Sequence, residues 1–179
     1  MNRPTKHLSF LLTISLILII SHAISPTLGT NLYEIVCNDA GKDNDRCLKL
    51  LESNPQIISA KDYPTLCKLI LQMAIQKGIE GQNELKKLIE KYPSSKAIKD
   101  CATVDYNELV NSFSSSLREI VEDPDSANYD AKVAGDGPQT CESDLVDEKI
   151  VNDPSISTLN NEMYFLSTIA FLATSHLNE

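Results

Sequence analysis

The strongest constraint on the fold is an apolar stripe that repeats with helical spacing between residues 98 and 120. Its side chains recur in steps of three or four residues and are Ile98, Ala102, Tyr106, Leu109, Phe113, Leu117 and Ile120. Residues at this spacing share one face of an α-helix, whereas a half-buried strand alternates at every second position. The stripe therefore predicts one continuous helix that opens near Ser94-Ser95 and ends at Asp123-Pro124.

Two further segments show the same spacing without a strong interruption. The first lies between Pro64 and Pro93, with Asp62 as its predicted cap. Gly78 and Gly81 thin its apolar stripe, so we expect a bend or a close neighbour there. The other begins after Asn152-Asp153-Pro154, with Ser155 or Ser157 as its predicted cap. Its apolar residues are Leu159, Met163, Leu166, Ala170, Ala173 and Leu177.

A fourth helical segment, from about Ser126 to Lys149, is interrupted by Gly135-Asp136-Gly137-Pro138. Strand and hairpin signals are nearly absent from the whole chain. Four helices joined by short links predict an all-α fold, an antiparallel up-down four-helix bundle over residues 59–179. A short helical hairpin over residues 30–58, stapled by a disulfide, precedes the bundle and is expected to sit outside it as an appendage.

The amino terminus has the three parts of a secretory signal. Arg3 and Lys6 precede a thirteen-residue apolar run, and small residues follow it. We expect cleavage after Ala23, or alternatively after Gly29; an uncleaved signal anchor is the other interpretation. Residues 1–23 are thus a predicted signal peptide, and residues 24–179 are predicted to form a single domain.

All five cysteines follow that segment, and a secreted chain keeps its disulfides. Cys37 and Cys47 flank a stretch rich in turn-forming residues, which indicates a tight reversal stapled at its base. Cys101 and Cys141 lie on consecutive predicted helices. Cys67 lies inside an apolar helical run, which favours a buried free thiol; a reactive or intermolecular thiol is the alternative.

Charge and composition exclude several function classes. The chain has 16 basic and 25 acidic residues, a formal net charge of −9, and loss of the two basic residues of the signal makes it −11. Without a basic patch, such a chain is a poor nucleic-acid binder. Only His176 among three histidines would remain after cleavage, and no serine or carboxylate is marked out as its catalytic partner. The cysteine spacing does not match zinc sites, so we predict a binding protein without cofactor or metal rather than an enzyme.

Several motifs in order resemble the plant invertase/pectin methylesterase inhibitor family. Ile35-Val36-Cys37 through Cys47-Leu48 is similar to the family's first disulfide hairpin, and Leu50-Leu51-Glu52-Ser53-Asn54-Pro55 to its leucine-rich segment. Ala97-Ile98-Lys99-Asp100-Cys101 and Thr140-Cys141-Glu142 resemble its later motifs. The resemblance implies disulfides Cys37–Cys47 and Cys101–Cys141, with Cys67 spare.

The resemblance also implies a function. A secreted member would be a monomer that forms a non-covalent one-to-one complex with a pectin methylesterase or an acid invertase, in the cell wall (apoplast) or the vacuole. Family inhibitors of invertase present a Pro-Lys-Phe motif where this chain has Pro124-Asp125-Ser126. That departure, with Thr140, favours pectin methylesterase as the target.

Family members cover the esterase cleft chiefly with the middle helices. The candidate contact residues lie on or beside the polar side of the second long helix, apart from Thr140. They are Tyr106, Asn107, Asn111, Ser114, Ser115, Arg118 and Thr140. A secreted helical carrier of a small ligand is the alternative from another class, although the closely spaced cysteine pair of insect odorant-binding proteins is missing.

Overall fold

A computed structural model describes residues 31–149 and 153–178; the predicted signal peptide lies outside these residues. Every regular element in the described part of the chain is helical. The α-helices are α1 Leu32–Asp39, α2 Asn44–Leu51, α3 Pro55–Ile58, α4 Tyr63–Lys91, α5 Lys96–Asp100, α6 Tyr106–Glu119, α7 Pro124–Val133, α8 Asp136–Glu148 and α9 Pro154–Ser175. A π-helical turn, Cys101–Asp105, joins α5 to α6, and short 3₁₀ turns cover Gly41–Asp43 and His176–Asn178.

These elements form the predicted antiparallel four-helix bundle. The first bundle helix is α4; the second is α5, the π turn and α6; the third is α7 followed by α8; the fourth is α9. The first packs against the second and the fourth, and the third packs against the same two helices. The largest fully buried side chains of the bundle include Phe113, Leu66 and Met163.

Each bundle helix begins at a polar cap, because its first backbone N–H groups have no partner inside the helix. Asp62 accepts from the Thr65 amide at 2.7 Å, and Ser95 accepts from the Ile98 amide at 3.1 Å. Asp123 and Asp153 cap the third and fourth helices. The prediction of Ser155 or Ser157 as the last cap was wrong: Asp153 accepts from the Ser155 amide, and Pro154 occupies the first helical position.

The predicted interruption of the third helix is present at Ala134 and Gly135, between α7 and α8. Helical structure resumes at Asp136, so Gly137 and Pro138 lie in the first turn of α8. Proline is tolerated there because its missing N–H would have no intrahelical partner. The third bundle helix is therefore two short helices.

The N-terminal hairpin is part of the core and not the appendage that the sequence suggested. Cys37 and Cys47 form a disulfide with Cα atoms 5.3 Å apart, and both side chains are fully buried. Arg46 lies over the Phe165 ring of α9, 3.9 Å from its centroid, and donates to the Asn161 carbonyl at 3.3 Å. The hairpin packs its apolar side against α9 and α4, because two short helices cannot bury it alone.

The two glycines of α4 allow neighbouring helices to approach. A Cβ atom at Gly78 would lie 2.6 Å from Leu109 Cδ2, and one at Gly81 would lie 2.9 Å from both Leu159 Cδ1 and Tyr106 Cε1. Of the two expectations for these glycines, the structure shows close approach. Among residues 31–149 and 153–178, no helix is both long and apolar enough to cross a membrane.

Candidate protein interface

The second bundle helix is anchored at its start by the third. The Glu148 carboxylate accepts from Ser95 Oγ at 2.5 Å and from the Lys96 amide at 2.7 Å. These hydrogen bonds, first that of Ser95, lower the pKa of Glu148 below its ordinary value. The Cys101–Cys141 disulfide, with Cα atoms 4.9 Å apart, joins the same two helices. Their outer surfaces are thereby held side by side.

Tyr106 does not belong to any contact surface, which corrects its inclusion among the candidates. Its side chain is 0% exposed, and its hydroxyl donates to Asn160 Oδ1 of the fourth helix at 2.9 Å. Desolvation, followed by the charges of Glu162, Asp105 and Glu142, raises the pKa of Tyr106. Tyr106 is a core residue because its position in the apolar stripe outweighs its polar hydroxyl.

The other five candidates on the second helix form a polar row on α6. Asn107, Asn111 and Arg118 are exposed, and Ser114 and Ser115 are half-buried. Asn107 Oδ1 accepts from Gln82 Nε2 at 2.5 Å, which places this end of the row beside the first helix. Arg118 donates to Ser115 Oγ at 2.8 Å. The row carries amide, hydroxyl and guanidinium groups, and some of them also bond within the second helix, since Asn107 Nδ2 donates to the Thr103 carbonyl.

Thr140 lies on α8 and is exposed, directly before the disulfide-bonded Cys141. Asp144 and Asp147 are four and seven residues further on, so they share its helix face. The structure thus associates Thr140 with acidic residues of the third helix, whereas the α6 row begins beside the first helix. The remaining candidates therefore form two separate groups: the α6 row beside the first helix, and Thr140 with the acidic residues of the third helix.

An acidic groove between the second and third helices escaped the sequence analysis. It has a volume of about 340 Å³ and is lined by Lys96, Ala97, Asp100, Asp144, Asp147 and Glu148. The Lys96 ammonium is already paired with the Asp100 carboxylate. The sequence did contain a sign of this groove, because acidic residues follow Cys141 at helical spacing and Asp100 adjoins Cys101. Only the disulfide pairing shows that the two runs are neighbours.

The environment of Asp105 was also not predicted from the sequence. This residue lies in the π turn, is 5% exposed, and its Oδ2 atom has no hydrogen-bond partner. Desolvation raises the pKa of Asp105 to about 6, and the charges of Asp144, Glu108 and Asp100 add to this while Lys96 opposes it. Its place in the sequence, between two apolar-stripe residues, was the available signal.

Within residues 31–149 and 153–178, three groups that could carry other chemistry are occupied or buried. Asp105 and the two sulfurs of Cys101 and Cys141 have ligand atoms within 4.8 Å of one another, but these sulfurs form a disulfide and offer no thiolate. Cys67 is buried, and desolvation raises the pKa of its thiol to about 12, as in an unreactive structural cysteine. His176 ends α9, where its Nε2 lies 2.8 Å from Asp39 Oδ2 and its ring stacks on Tyr63.

The family model described as plant invertase/pectin methylesterase inhibitor matches residues 31–171. This match spans the hairpin, both disulfides and nearly the whole bundle. The chain belongs to this family.

Similar proteins agree with that assignment. Pectinesterase inhibitor 2 of Arabidopsis thaliana is 27% identical over 123 residues, which are 67% of this chain and 69% of the relative. A crystal structure of mutant form A of a pectin methylesterase inhibitor from Arabidopsis matches with a TM-score of 0.69 and 19% identity, covering 82% of this chain and 97% of the other. Another pectin methylesterase inhibitor structure from Arabidopsis thaliana matches with a TM-score of 0.59 and 21% identity, over 81% and 95% of the two chains. These structures support the family's fold.

In this member of the inhibitor family, the Pro124-Asp125-Ser126 segment begins α7. Asp123 accepts from the backbone amide and the hydroxyl of Ser126, and Pro124 occupies the first helical turn. Asp125 Oδ1 accepts from Asn178 Nδ2 at 2.8 Å. The segment offers a carboxylate and a small hydroxyl, not a cation and an aromatic ring.

Proposed function

We propose that this chain inhibits pectin methylesterase by forming a non-covalent one-to-one complex through the outer surfaces of its second and third bundle helices. The family match over residues 31–171 carries the inhibitor part of this proposal. The relative that shares 27% identity is named a pectinesterase inhibitor, which supports the choice of target.

The start of α7 supports the same target. Invertase inhibitors of the resembled family present Pro-Lys-Phe here, whereas this chain has an acid and a serine engaged in a helix cap. A surface that recognises a lysine and an aromatic ring would lose both contacts with this segment. The proposal therefore ranks inhibition of acid invertase second.

Electrostatics supplies the physical mechanism. A formal net charge of −9, with Asp144 and Asp147 in the groove and Asp100 at its edge, favours approach of a basic partner surface. The uncharged amides and hydroxyls of the α6 row then provide directional hydrogen bonds. A rigid, disulfide-linked helix pair loses little conformational entropy on binding, so more of the contact energy appears as affinity.

The proposal includes secretion. Cleavage after Ala23 would deliver the domain to the extracellular space of the cell wall, and the vacuole is the alternative destination. Amino-terminal sequencing of the protein recovered from a secreting host distinguishes Ile24 from Thr30 as the first residue and tests both predicted cleavage positions.

Inhibition assays of the oxidised mature chain against a pectin methylesterase and an acid invertase, from about pH 4.5 to 7, test the target. We expect inhibition of the esterase alone. Inhibition of invertase alone would show that Pro124-Asp125-Ser126 is compatible with that target and would overturn the proposal. Inhibition of neither enzyme would also overturn it.

A triple variant tests the surface. Asn107→Ala, Asn111→Ala and Arg118→Ala together remove two amides and one cation from the row. We expect the inhibition constant to rise at least about tenfold, which corresponds to about 1.4 kcal/mol. The matched control is Gln72→Ala, Asn83→Ala and Lys49→Ala, which removes the same kinds of groups from exposed positions on α4 and α2. Equal inhibition by both triple variants would show that the row is not the contact.

A further inference from the structure

Two buried side-chain oxygens in the described part of the chain have no hydrogen-bond partner, and both belong to carboxyl groups of the second bundle helix. They are Asp105 Oδ2 in the π turn and Glu119 Oε2 at the end of α6. Buried carboxylates normally have partners, because an unpaired buried charge is costly. Asp105 is buried, whereas Glu119 is half-buried with only its Oε2 atom shielded from solvent. Both oxygens therefore require a physical explanation.

In the π turn near the start of the second bundle helix, Asp105 lies against α8. A Cβ atom at Gly137 would lie 2.3 Å from the Asp105 carbonyl oxygen, so the two helices are in backbone contact here. The charged groups that act on the Asp105 carboxyl are Asp144 of α8, Glu108 of α6, and Asp100 and Lys96 of α5. Three are acids, and the single base, Lys96, is paired with Asp100. An ionised Asp105 would thus face uncompensated repulsion.

At the other end, Glu119 lies where α6 packs against α7. Ser116, one turn earlier, donates to the Ala127 carbonyl of α7 at 2.7 Å, which fixes the contact. Desolvation, then Asp130 of α7 and Asp123 before it, raise the pKa of Glu119, and Arg118 opposes this. Again a carboxyl of the second helix faces a carboxyl of the third.

We propose that this contact, the acid seam of Asp105 with Asp144 and Glu119 with Asp130, is a proton-dependent latch between the second and third bundle helices. The latch is closed when Asp105 and Glu119 are protonated, because a neutral carboxyl loses the repulsion and gains a donor. It loosens when both are ionised. This proposal does not depend on the identity of the target enzyme.

The direction of the pH dependence follows from proton linkage. Asp105 binds its proton more tightly in the folded chain, with a pKa of about 6 against an ordinary 3.8. Its contribution to stability is complete below about pH 4 and is lost as the pH rises through 6. The pKa values of four helix-capping carboxylates are lowered, those of Asp62, Asp123, Glu148 and Asp153. The stabilisation that they provide is therefore lost only at pH values below about 4.5. The interval from pH 4.5 to 7 thus lies above the effect of these caps, and amide variants of Asp105 and Glu119 separate the seam from other groups that titrate in it.

Thermal unfolding of Asp105→Asn and Glu119→Gln variants across this interval tests the latch. The amides imitate protonated carboxyls, so the difference between each variant and the wild type is expected to shrink as the pH falls toward 4.5. At pH 7 Asp105→Asn is expected to have a Tm roughly 8 °C higher than the wild type, and Glu119→Gln a smaller increase. The matched controls are Asp147→Asn and Glu122→Gln, exposed acids on the third helix and just after α6. They are expected to change the slope of Tm against pH little.

Two results would overturn the latch. One is a wild-type pH slope that Asp105→Asn and Glu119→Gln leave unchanged. The other comes from a carboxyl ¹³C titration of the wild-type protein, which needs no variant and remains decisive if Asp105→Asn fails to fold. We expect Asp105 to titrate near pH 6; titration near its ordinary value of 3.8 would remove the basis of the latch.

Discussion

The first and fourth bundle helices meet differently from the second and third. The helices α4 and α9 are long and unbroken, and Gly81 allows Leu159 to pack closely against α4. The acid seam instead joins a helix containing a π turn to a helix broken at Gly135. It has a disulfide beside Asp105 at one end. Buried carboxyl oxygens without partners lie on Asp105 and, further along the second helix, on Glu119.

The difference shows what apolar burial can and cannot supply. The third helix buries mostly small residues, such as Ala127, Ala131 and Gly137, which remove little apolar surface from water. A covalent link and close backbone contact there supplement that smaller hydrophobic contribution. The first and fourth helices need no such link because each presents a row of large apolar side chains.

The largest expected effect comes from removing the disulfide at the seam. Replacing Cys101 and Cys141 by alanine opens a loop with a sequence separation of 40 residues, and the chain-entropy relation gives a loss of about 4 kcal/mol. Replacing Cys37 and Cys47, separated by 10 residues, should cost about 3 kcal/mol. Urea unfolding of both double variants measures the difference. A larger loss for the hairpin pair would contradict the greater dependence of the seam on its link.

A single methyl group tests the backbone contact. Gly137→Ala places a Cβ atom against the Asp105 carbonyl oxygen, which cannot rotate away, so we expect a loss of about 3 kcal/mol. Gly81→Ala, at the first and fourth helices, meets the flexible Leu159 side chain and the Tyr106 ring rather than a backbone carbonyl, and its gain in helix propensity offsets part of the clash. We expect it to cost about 1 kcal/mol. Equal losses in chemical denaturation would show that the seam is no more rigid than the other interface.

Polar contacts at the two interfaces provide a smaller test. Ser116 Oγ is fully buried and donates to the Ala127 carbonyl across the second and third helices, so Ser116→Ala should cost about 1 kcal/mol through the loss of this buried hydrogen bond. Lys77 and Glu162 form an ion pair across the first and fourth helices, with side chains 35% and 39% exposed. Because water screens this pair, Lys77→Ala should cost about 0.5 kcal/mol or less. A greater loss for Lys77→Ala in the same unfolding assay would reverse the comparison.

The smallest effect is expected at the cap of the second helix. Glu148→Gln weakens the acceptor for Ser95 and the Lys96 amide, so Tm should fall slightly at pH 7. The pKa of Glu148 is lowered in the folded chain, so its stabilisation is present above its unfolded pKa and is lost as the pH falls through the folded value. The difference in Tm from the wild type should therefore vanish under strongly acid conditions. A difference that persists there would assign the effect to packing.

These comparisons also show which features the sequence could predict. Local patterns predicted the four bundle helices, the cap at Asp62 and the interruption near Gly135, because each depends on neighbouring residues. The apolar stripe also included Tyr106, and placing Tyr106 on the contact surface was wrong because its hydroxyl is paired with Asn160 inside the core. The local patterns also failed for the hairpin, whose position depends on the distant Phe165.

The sequence by itself determined the helical elements, the acidic charge and the family of this protein, because periodicity, composition and ordered motifs are local or additive properties. Only the tertiary structure decided that Asp105 and Glu119 would face Asp144 and Asp130, or that Asp100 would border a groove with Asp147. These pairs are separated by 11 to 47 residues in the sequence. Their effects depend on distance and solvent exclusion, which arise only when the helices pack.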